Sequence, residues 1–411
     1  MEERELAGEI SPPAGKKENK WVFFRGVLVG ILLGLAFIMG FLGIRSLVLK
    51  KSAASVMDET TEEKLGVLNG LIHTYYYQDV DDADLSDGLL KGFVEGLNDP
   101  YSAYYNKEEY EQFMISTTGN YAGIGAVLSQ DKDTNRVSII KIYPGSPAEK
   151  AGLRVDDVII SADGVMAVDM ELSDFVQHIR GEAGTSVSLE IYRDGQQTTY
   201  EVEREAITIP SVSYRMLGDD VGYIMISEFS EGTASEFEAA LSDLKSQGMR
   251  AVIYDVRSNP GGLVDAVTDI LDDILPKGTT VYMMDKKGEK TTYTSDEETQ
   301  EDFPTVVLIN GNSASAAEIF SGAIRDFKYG TLVGTKTYGK GVVQNTLPLS
   351  DGSALKLTIA SYYTPSGECI QGTGIEPDVE LEYEYTGEGS GDDYEYDKDN
   401  QVQKALEILK K

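Results

Sequence analysis

The stretch VVLINGNSASAAE, residues 306–318, runs from a strand pattern directly into a helix pattern. The turn between them is built of small residues, so backbone N–H groups at the helix N-terminus are left without helical partners. Ser315 stands at that N-terminus, where its hydroxyl can be exposed and the N–H of Ala316 can help to hold an oxyanion. Glu318 follows at the spacing of a capping box, so Ser315 is equally well interpreted as a nucleophile or as a helix cap.

A second stretch, GTKTYGKGVVQ at residues 334–344, offers a base for such a serine. Lysine can accept a proton from a hydroxyl once burial has lowered its pKa. Glycines on both sides of Lys340 let the backbone pack closely and let the amine point inward. Lys336 is the alternative base, without that pair of glycines, and for either lysine a solvated surface position is the simpler interpretation.

A third stretch, DVRSNPGG at residues 255–262, ends a strand in a tight turn. Its backbone N–H groups can complete an oxyanion hole, although an ordinary strand-to-helix turn has the same pattern. The chain has only two histidines, His73 and His178, and both lie outside these stretches, which makes a Ser-His-Asp triad improbable. We find no motif for a metal or a nucleotide cofactor and expect none.

The alternation of helix and strand patterns over 411 residues predicts a mixed α/β (α+β) multidomain protein. A net charge of −33 would repel phosphate backbones, so we expect no nucleic-acid partner. We interpret the acidic residues 380–400 as a solvated or disordered loop.

The predicted segments are a cytoplasmic N-terminus at 1–25, a transmembrane anchor at 26–44, a linker and helical segment at 45–118, a small β-barrel-like module at 119–205, an α/β core at 206–380, and an acidic segment with a C-terminal helix at 381–411.

The predicted anchor is the run GVLVGILLGLAFIMGFLGI, 19 uncharged residues from Gly26 to Ile44. As a helix it is long enough to cross a hydrocarbon core of about 30 Å. We expect a single-pass protein of the cell membrane, with its N-terminus in the cytoplasm and its catalytic domain outside. The alternative is a cleaved signal peptide with its cleavage site at residues 52–54.

Together these motifs resemble those of the carboxyl-terminal processing peptidases, also called tail-specific proteases, over nearly all of the chain beyond the anchor. The resemblance is carried by NPGG at 259–262, SASAAE at 313–318, GTKTYGKGVVQ at 334–344 and YYTPSGECIQGTGIEPDV at 362–379. It implies a serine endopeptidase with a Ser-Lys-Gln centre on a protease core of crotonase-like character. The residues it implies are the nucleophile Ser315, the base Lys340, the orienting amide of Gln344, and the oxyanion donors Gly262 and Ala316.

The module at 119–205 resembles the PDZ domain of that family. Its carboxylate-binding loop is matched by Tyr121, Ala122, Gly123, Ile124 and Gly125. Backbone N–H groups beside glycines can hold a terminal carboxylate, and the adjacent strand edge can pair with a peptide. The implied partners are protein substrates bound by their C-terminal tails and the membrane, and a homodimer is left open. Two alternative functions are a non-catalytic PDZ scaffold on the same fold and a Ser-Lys amidase.

Overall fold

The computed structural model describes residues 56–296, 302–389 and 391–410. The predicted cytoplasmic N-terminus and the predicted anchor at 26–44 lie outside these ranges. Within them, none of the helices combines the length and the apolar character that crossing a bilayer requires. The described residues divide into two units, with the boundary between Ser86 and Asp87.

The segment before the PDZ-like module is largely helical, as its periodicity predicts. Its last helix begins with a capping box between Asn106 and Glu109, and it ends at Gly119. Gly119 has a φ of 72°, a left-handed conformation that costs glycine little because it has no Cβ. The elements are α1 (Glu59–Tyr75), α2 (Asp82–Glu95), β1 (Ala103–Tyr105) and α3 (Lys107–Thr118).

The PDZ-like module is an antiparallel sheet with strand order β3-β4-β5-β7-β8, and two short helices pack on its core. Strand β6 pairs with β5, while β2 and β9 form a separate pair. Alternate side chains of β7 are buried, as expected for a sheet with one face on a core. The elements are β2 (Asn120–Gly123), β3 (Ala126–Gln130), β4 (Val137–Ile142), α4 (Pro147–Lys150), β5 (Val158–Ala162), β6 (Val165–Met166), α5 (Leu172–Ile179), β7 (Ser186–Arg193), β8 (Gln196–Glu203) and β9 (Glu205–Thr208).

The α/β core is built on a sheet of order β10-β11-β12-β15-β16-β19, in which every pair except β10–β11 is parallel. Helices α6, α7 and α8 pack on one face and α9 packs on the other. The elements are β10 (Val212–Leu217), β11 (Val221–Ile226), α6 (Thr233–Ser246), β12 (Ala251–Asp255), α7 (Val264–Ile274), β15 (Thr305–Ile309), α8 (Ala316–Phe327), β16 (Thr331–Gly334), β19 (Val379–Glu380) and α9 (Asn400–Leu409). Since β12 and β15 are parallel neighbours, the turns that follow them emerge at the same edge of the sheet.

A second sheet carries the segment with the candidate base. Its order is β1-β18-β13-β14, and β17 pairs with β18. The pairing of β1 with β18 joins Ala103–Tyr105 to residues 354–356, more than two hundred positions away in the sequence. The remaining elements are β13 (Gly278–Asp285), β14 (Lys290–Ser295), β17 (Val342–Pro348) and β18 (Ala354–Tyr363).

Most acidic side chains in the described part of 380–400 are exposed, as expected for a solvated loop, but Asp399 is an exception. Asp399 is fully buried, and its Oδ2 lies 2.9 Å from Nη2 of Arg257. Arg257 also pairs with Asp255 at 2.6 Å, at the end of β12. Burial lowers the pKa of Arg257, but the carboxylates of Asp255 and Asp399 outweigh it and raise that pKa. A buried charge needs such partners, so part of the acidic segment is a structural component of the core.

Candidate active site

Ser315 lies in the turn between β15 and α8, at the edge of the sheet where the turn after β12 also emerges. Its φ of 54° is in the left-handed region, which costs about 1–3 kcal/mol for a residue with a Cβ and is often found at functional sites. Ser315 and Glu318 form the predicted capping-box pair, with Glu318 Oε2 accepting the Ser315 N–H at 2.9 Å. The cap and the nucleophile are therefore compatible roles for this half-buried serine.

The neighbouring serine, Ser313, has a different environment. It is fully buried, and its hydroxyl donates to the carbonyl of Val256 at 2.7 Å. Its Oγ also accepts the N–H of Asn310 at 3.0 Å. Ser313 thus ties the turn after β15 to the end of β12, which leaves Ser315 as the more accessible serine of this stretch.

The turn after β12 packs directly on Ser315. Gly261 has a φ of 106°, and a Cβ on it would lie 2.7 Å from Ser315 Cβ and 2.9 Å from Ala316 N. Asn259 holds the turn, because its Oδ1 accepts from Gly261 N at 2.8 Å and its backbone carbonyl accepts from Ala314 N at 2.9 Å. In the described ranges, the N–H groups of Gly262 and Ala316 donate to no other protein group. The two predicted oxyanion donors therefore belong to backbone segments in contact.

Lys340 is half-buried between β16 and β17, and its Nζ lies 5.1 Å from the ring centroid of Tyr101. Burial lowers the pKa of this amine below its usual value, and the positive charge of Lys356 lowers it further. The carboxylates of Glu318 and Asp99 act in the opposite direction but do not outweigh those two effects. A lysine in this environment loses its proton more readily than one in water, as a general base must.

Lys336, the alternative base, is exposed. Its Nζ forms an ion pair with Glu376 Oε1 at 2.8 Å, and about half of the lysine side chain is accessible to solvent. An exposed pair of this kind contributes little to stability. The geometry therefore favours Lys340 over Lys336.

Gln344 lies on β17 opposite Thr358 of β18. Its Nε2 donates to Thr358 Oγ1 at 3.2 Å. In the described part of the chain, this is the hydrogen bond that the Gln344 side chain makes, and none joins it to the Lys340 amine. The structure thus brings the loops of Ser315 and Lys340 together, while it places Gln344 on the strand that follows Lys340.

Two further residues join the serine and lysine segments, and neither was predicted for this role. Glu318 is fully buried and accepts four hydrogen bonds, from Ser315 N, Lys340 N, Gly339 N and Thr337 Oγ1, at 2.6–2.9 Å. The hydroxyl of buried Tyr362 donates to the carbonyl of Ser315 at 3.0 Å and to that of Lys340. The capping-box spacing identified Glu318 only as a cap, because spacing within one helix carries no information about a loop twenty residues away.

The predicted carboxylate-binding loop borders a cavity of about 260 Å³ in the PDZ-like module. Tyr121, Ala122 and Gly123 lie on β2, Ile124 is buried, and Gly125 has a φ of 73° and packs on Ser146. Other residues that line the cavity include Leu128, Val176 and Arg180. Burial lowers the pKa of the Arg180 guanidinium, which lies 5.1 Å from the Tyr121 ring. An apolar cavity beside backbone N–H groups suits the side chain of a terminal residue.

Comparisons with known protein families match three parts of the chain. The model of peptidase family S41 matches residues 220–381, and a PDZ domain model matches residues 139–193. The model of the activating protease CtpB N-terminal domain matches residues 44–109.

Whole proteins are similar over most of the chain. A probable CtpA-like serine protease of Staphylococcus aureus (strain N315) is 33% identical over 369 residues, 88% of this chain and 73% of that protein. The carboxy-terminal processing protease CtpA of Bacillus subtilis (strain 168) is 35% identical over 367 residues, 89% of this chain and 78% of that protein. Among solved structures, a photosystem II D1 C-terminal processing protease is 30% identical, with a TM-score of 0.46, over 76% of this chain and 86% of that one.

Proposed function

Since this chain belongs to the carboxyl-terminal processing peptidases, which are serine-type proteases, we propose that it cleaves extracytoplasmic proteins near their C-terminal tails through Ser315, Lys340 and Gln344. The observation that carries this proposal is the joint attachment of the Ser315 and Lys340 backbones to Glu318 and Tyr362. That attachment holds a half-buried hydroxyl and an amine of lowered pKa in adjoining loops. These are the two groups that a serine–lysine acyl transfer needs.

In the proposed reaction, Ser315 Oγ attacks the scissile carbonyl carbon while its proton moves to the neutral amine of Lys340. The resulting oxyanion accepts hydrogen bonds from the N–H groups of Gly262 and Ala316. The tetrahedral intermediate then breaks its C–N bond, and the Lys340 ammonium returns the proton to the leaving amine. Water then attacks the ester that remains on Ser315 while Lys340 accepts one of its protons. The C–O bond to Ser315 breaks and the Lys340 ammonium returns that proton to Ser315 Oγ, which restores the hydroxyl and the neutral amine.

The PDZ-like module supplies the proposed selection of tails. A terminal carboxylate would be held by N–H groups of residues 121–125, and the last side chain would enter the adjacent cavity.

The proposed anchor at 26–44 would keep both domains at the outer face of the cell membrane. Protease treatment of intact cells and of lysates tests this topology: the full domain should be digested in both. Recovery of a soluble form that begins near residue 53 would contradict a retained anchor.

The proposed function is tested by trapping. A Ser315→Ala variant expressed in the native host should retain uncleaved proteins bound by their tails, and wild type should form an ester that peptide mapping places on Ser315. Ser350→Ala, in an exposed turn, is the matched control and should behave as wild type. Tail binding without any acyl-enzyme would favour the scaffold alternative. Acylation by small amides but by no protein would favour the amidase.

A further inference from the structure

A turn far from the catalytic segments in sequence contributes hydrogen bonds to them. Residues 98–102 connect α2 to β1, and Asp99 organises the turn by accepting from Ser102 Oγ at 2.6 Å and from Tyr101 N at 3.2 Å. Ser102 is buried, and its Oγ in turn accepts the N–H of Thr358 at 3.0 Å. The turn is therefore fastened to the strand that faces Gln344.

The same turn holds the residue that the Gln344 amide contacts. Burial raises the pKa of Asp99, but hydrogen bonds from Ser102 and Thr358 outweigh it and lower that pKa, so the group is a carboxylate that only accepts. Thr358 Oγ1 accepts a hydrogen bond from Gln344 Nε2 at 3.2 Å. With its Nε2 engaged in this way, the amide oxygen of Gln344 remains available as an acceptor.

The turn also shapes the surroundings of the Lys340 amine. The ring of Tyr101 lies 5.1 Å from Nζ, and Asp99 is one of two carboxylates whose charge favours the protonated amine. Among the described residues, the charged groups that act on Nζ are Asp99, Glu318 and Lys356, from the turn, from α8 and from β18. Of the titratable groups that are uncharged, the Tyr101 ring faces Nζ and the Tyr362 hydroxyl contacts the Lys340 carbonyl.

We propose that Asp99, through Ser102 and Thr358, positions the Gln344 amide and the Lys340 amine for proton transfer from Ser315. This inference rests on the proposed function. Asp99, Ser102 and Thr358 are positioning residues, because each acts through Gln344 or Lys340 and none is placed against the reacting carbonyl. The helical segment that precedes the PDZ-like module then supplies part of the catalytic environment as well as a connection.

The test is the rate of Ser315 acylation against pH in the full-length protein. The probe is a p-nitrophenyl ester of an uncharged, N-blocked peptide, and the acyl-enzyme is counted by intact mass after quenching. Thr358→Val removes the hydroxyl at nearly constant volume and should slow acylation roughly tenfold, the value of one well-placed hydrogen bond. Thr358→Ser keeps a hydroxyl and should retain most of the rate. Thr346→Val, on β17 two residues beyond Gln344, is the matched control and should be unchanged.

Asp99→Asn distinguishes a positioning role from a purely structural one, because a purely structural role would not shift the pH dependence of acylation. Removing this anion lowers the pKa of Lys340, so the rise of acylation with pH should shift to lower pH while the plateau rate falls. Equal rates for Thr358→Val and Thr346→Val, or an unshifted Asp99→Asn profile, would overturn the positioning role and leave the proposed function standing. Absence of any ester on Ser315 in wild type would overturn both.

Discussion

Ser315 and Lys340 are joined through a single oxygen atom: Oε2 of Glu318 accepts the backbone N–H of Ser315 at 2.9 Å and that of Lys340 at 2.8 Å. Tyr362 repeats the connection from the other side, donating to the carbonyls of the same two residues. The serine and lysine loops are thus held by groups that are themselves fully buried and hydrogen-bonded. Groups held in this way by the folded protein are already in position, so no free energy is needed to reorganise them during a reaction.

Glu318→Gln should loosen both loops. The amide brings an NH₂ group against backbone N–H donors that now meet carboxylate oxygens, leaving buried donors unsatisfied. We expect a loss of about 3 kcal/mol in the free energy of unfolding, measured by urea denaturation, and more than a tenfold loss of acylation rate. Glu376→Gln, at the exposed pair with Lys336, should change stability by less than about 0.5 kcal/mol. A Glu318→Gln variant with the unfolding midpoint of wild type would contradict the role given to this carboxylate.

Lys340→Arg should abolish turnover. Arginine keeps the positive charge but does not lose its proton in the working pH range, so it cannot act as the base. A loss of several orders of magnitude is expected in single-turnover acylation, with folding and tail binding largely retained. Lys336→Arg is the control and should be mild, since that side chain is exposed and paired with Glu376. If Lys336→Arg proves to be the inactive variant, the assignment of the base is wrong.

Lys356→Gln should move the pH profile upward. The positive charge of Lys356 lowers the pKa of Lys340, so its removal raises that pKa and leaves less neutral amine at pH 7. Acylation at pH 7 should fall, while the plateau at high pH should stay near that of wild type. Lys290→Gln removes the same charge from β14 of the same sheet and should leave the profile in place. A Lys356→Gln profile that shifts to lower pH would contradict the conclusion that the charge of Lys356 lowers the pKa of Lys340.

Gly261→Ala should inactivate the enzyme. The new Cβ would sit 2.7 Å from Ser315 Cβ and 2.8 Å from the carbonyl oxygen of Ala314, so the turn must move away from Ser315. Displacing an oxyanion donor costs roughly a hundredfold in rate or more, which single-turnover acylation would measure. Gly145→Ala is the control, since its φ of 74° is also left-handed but its Cβ would meet nothing within 4 Å. It should lower stability by about 1 kcal/mol and leave the rate unchanged. Equal rates for the two variants would mean that the turn does not support the site.

The mixed α/β organisation, the PDZ-like module and the serine-type family were predicted from the sequence and are confirmed. These predictions succeeded because each depended on local patterns: a strand running into a helix at Ser315, and glycines on both sides of Lys340. The acidic segment shows where local patterns stop, since most of its described acidic side chains are exposed as expected but Asp399 is buried. Its composition predicts solvation, but the partner that buries Asp399 is Arg257, which lies far away in the sequence.

What the sequence determined by itself is the local geometry of each catalytic segment, because helix termini, tight turns and glycine positions depend on residues a few positions apart. Tertiary structure alone decided which serine is accessible, which lysine is desolvated and which residue the Gln344 amide contacts. That residue, Thr358, is itself held by a hydrogen bond from its N–H to the hydroxyl oxygen of Ser102, 256 positions away. Desolvation and long-range hydrogen bonds are properties of surfaces that meet only after folding, so no spacing within one segment can specify them.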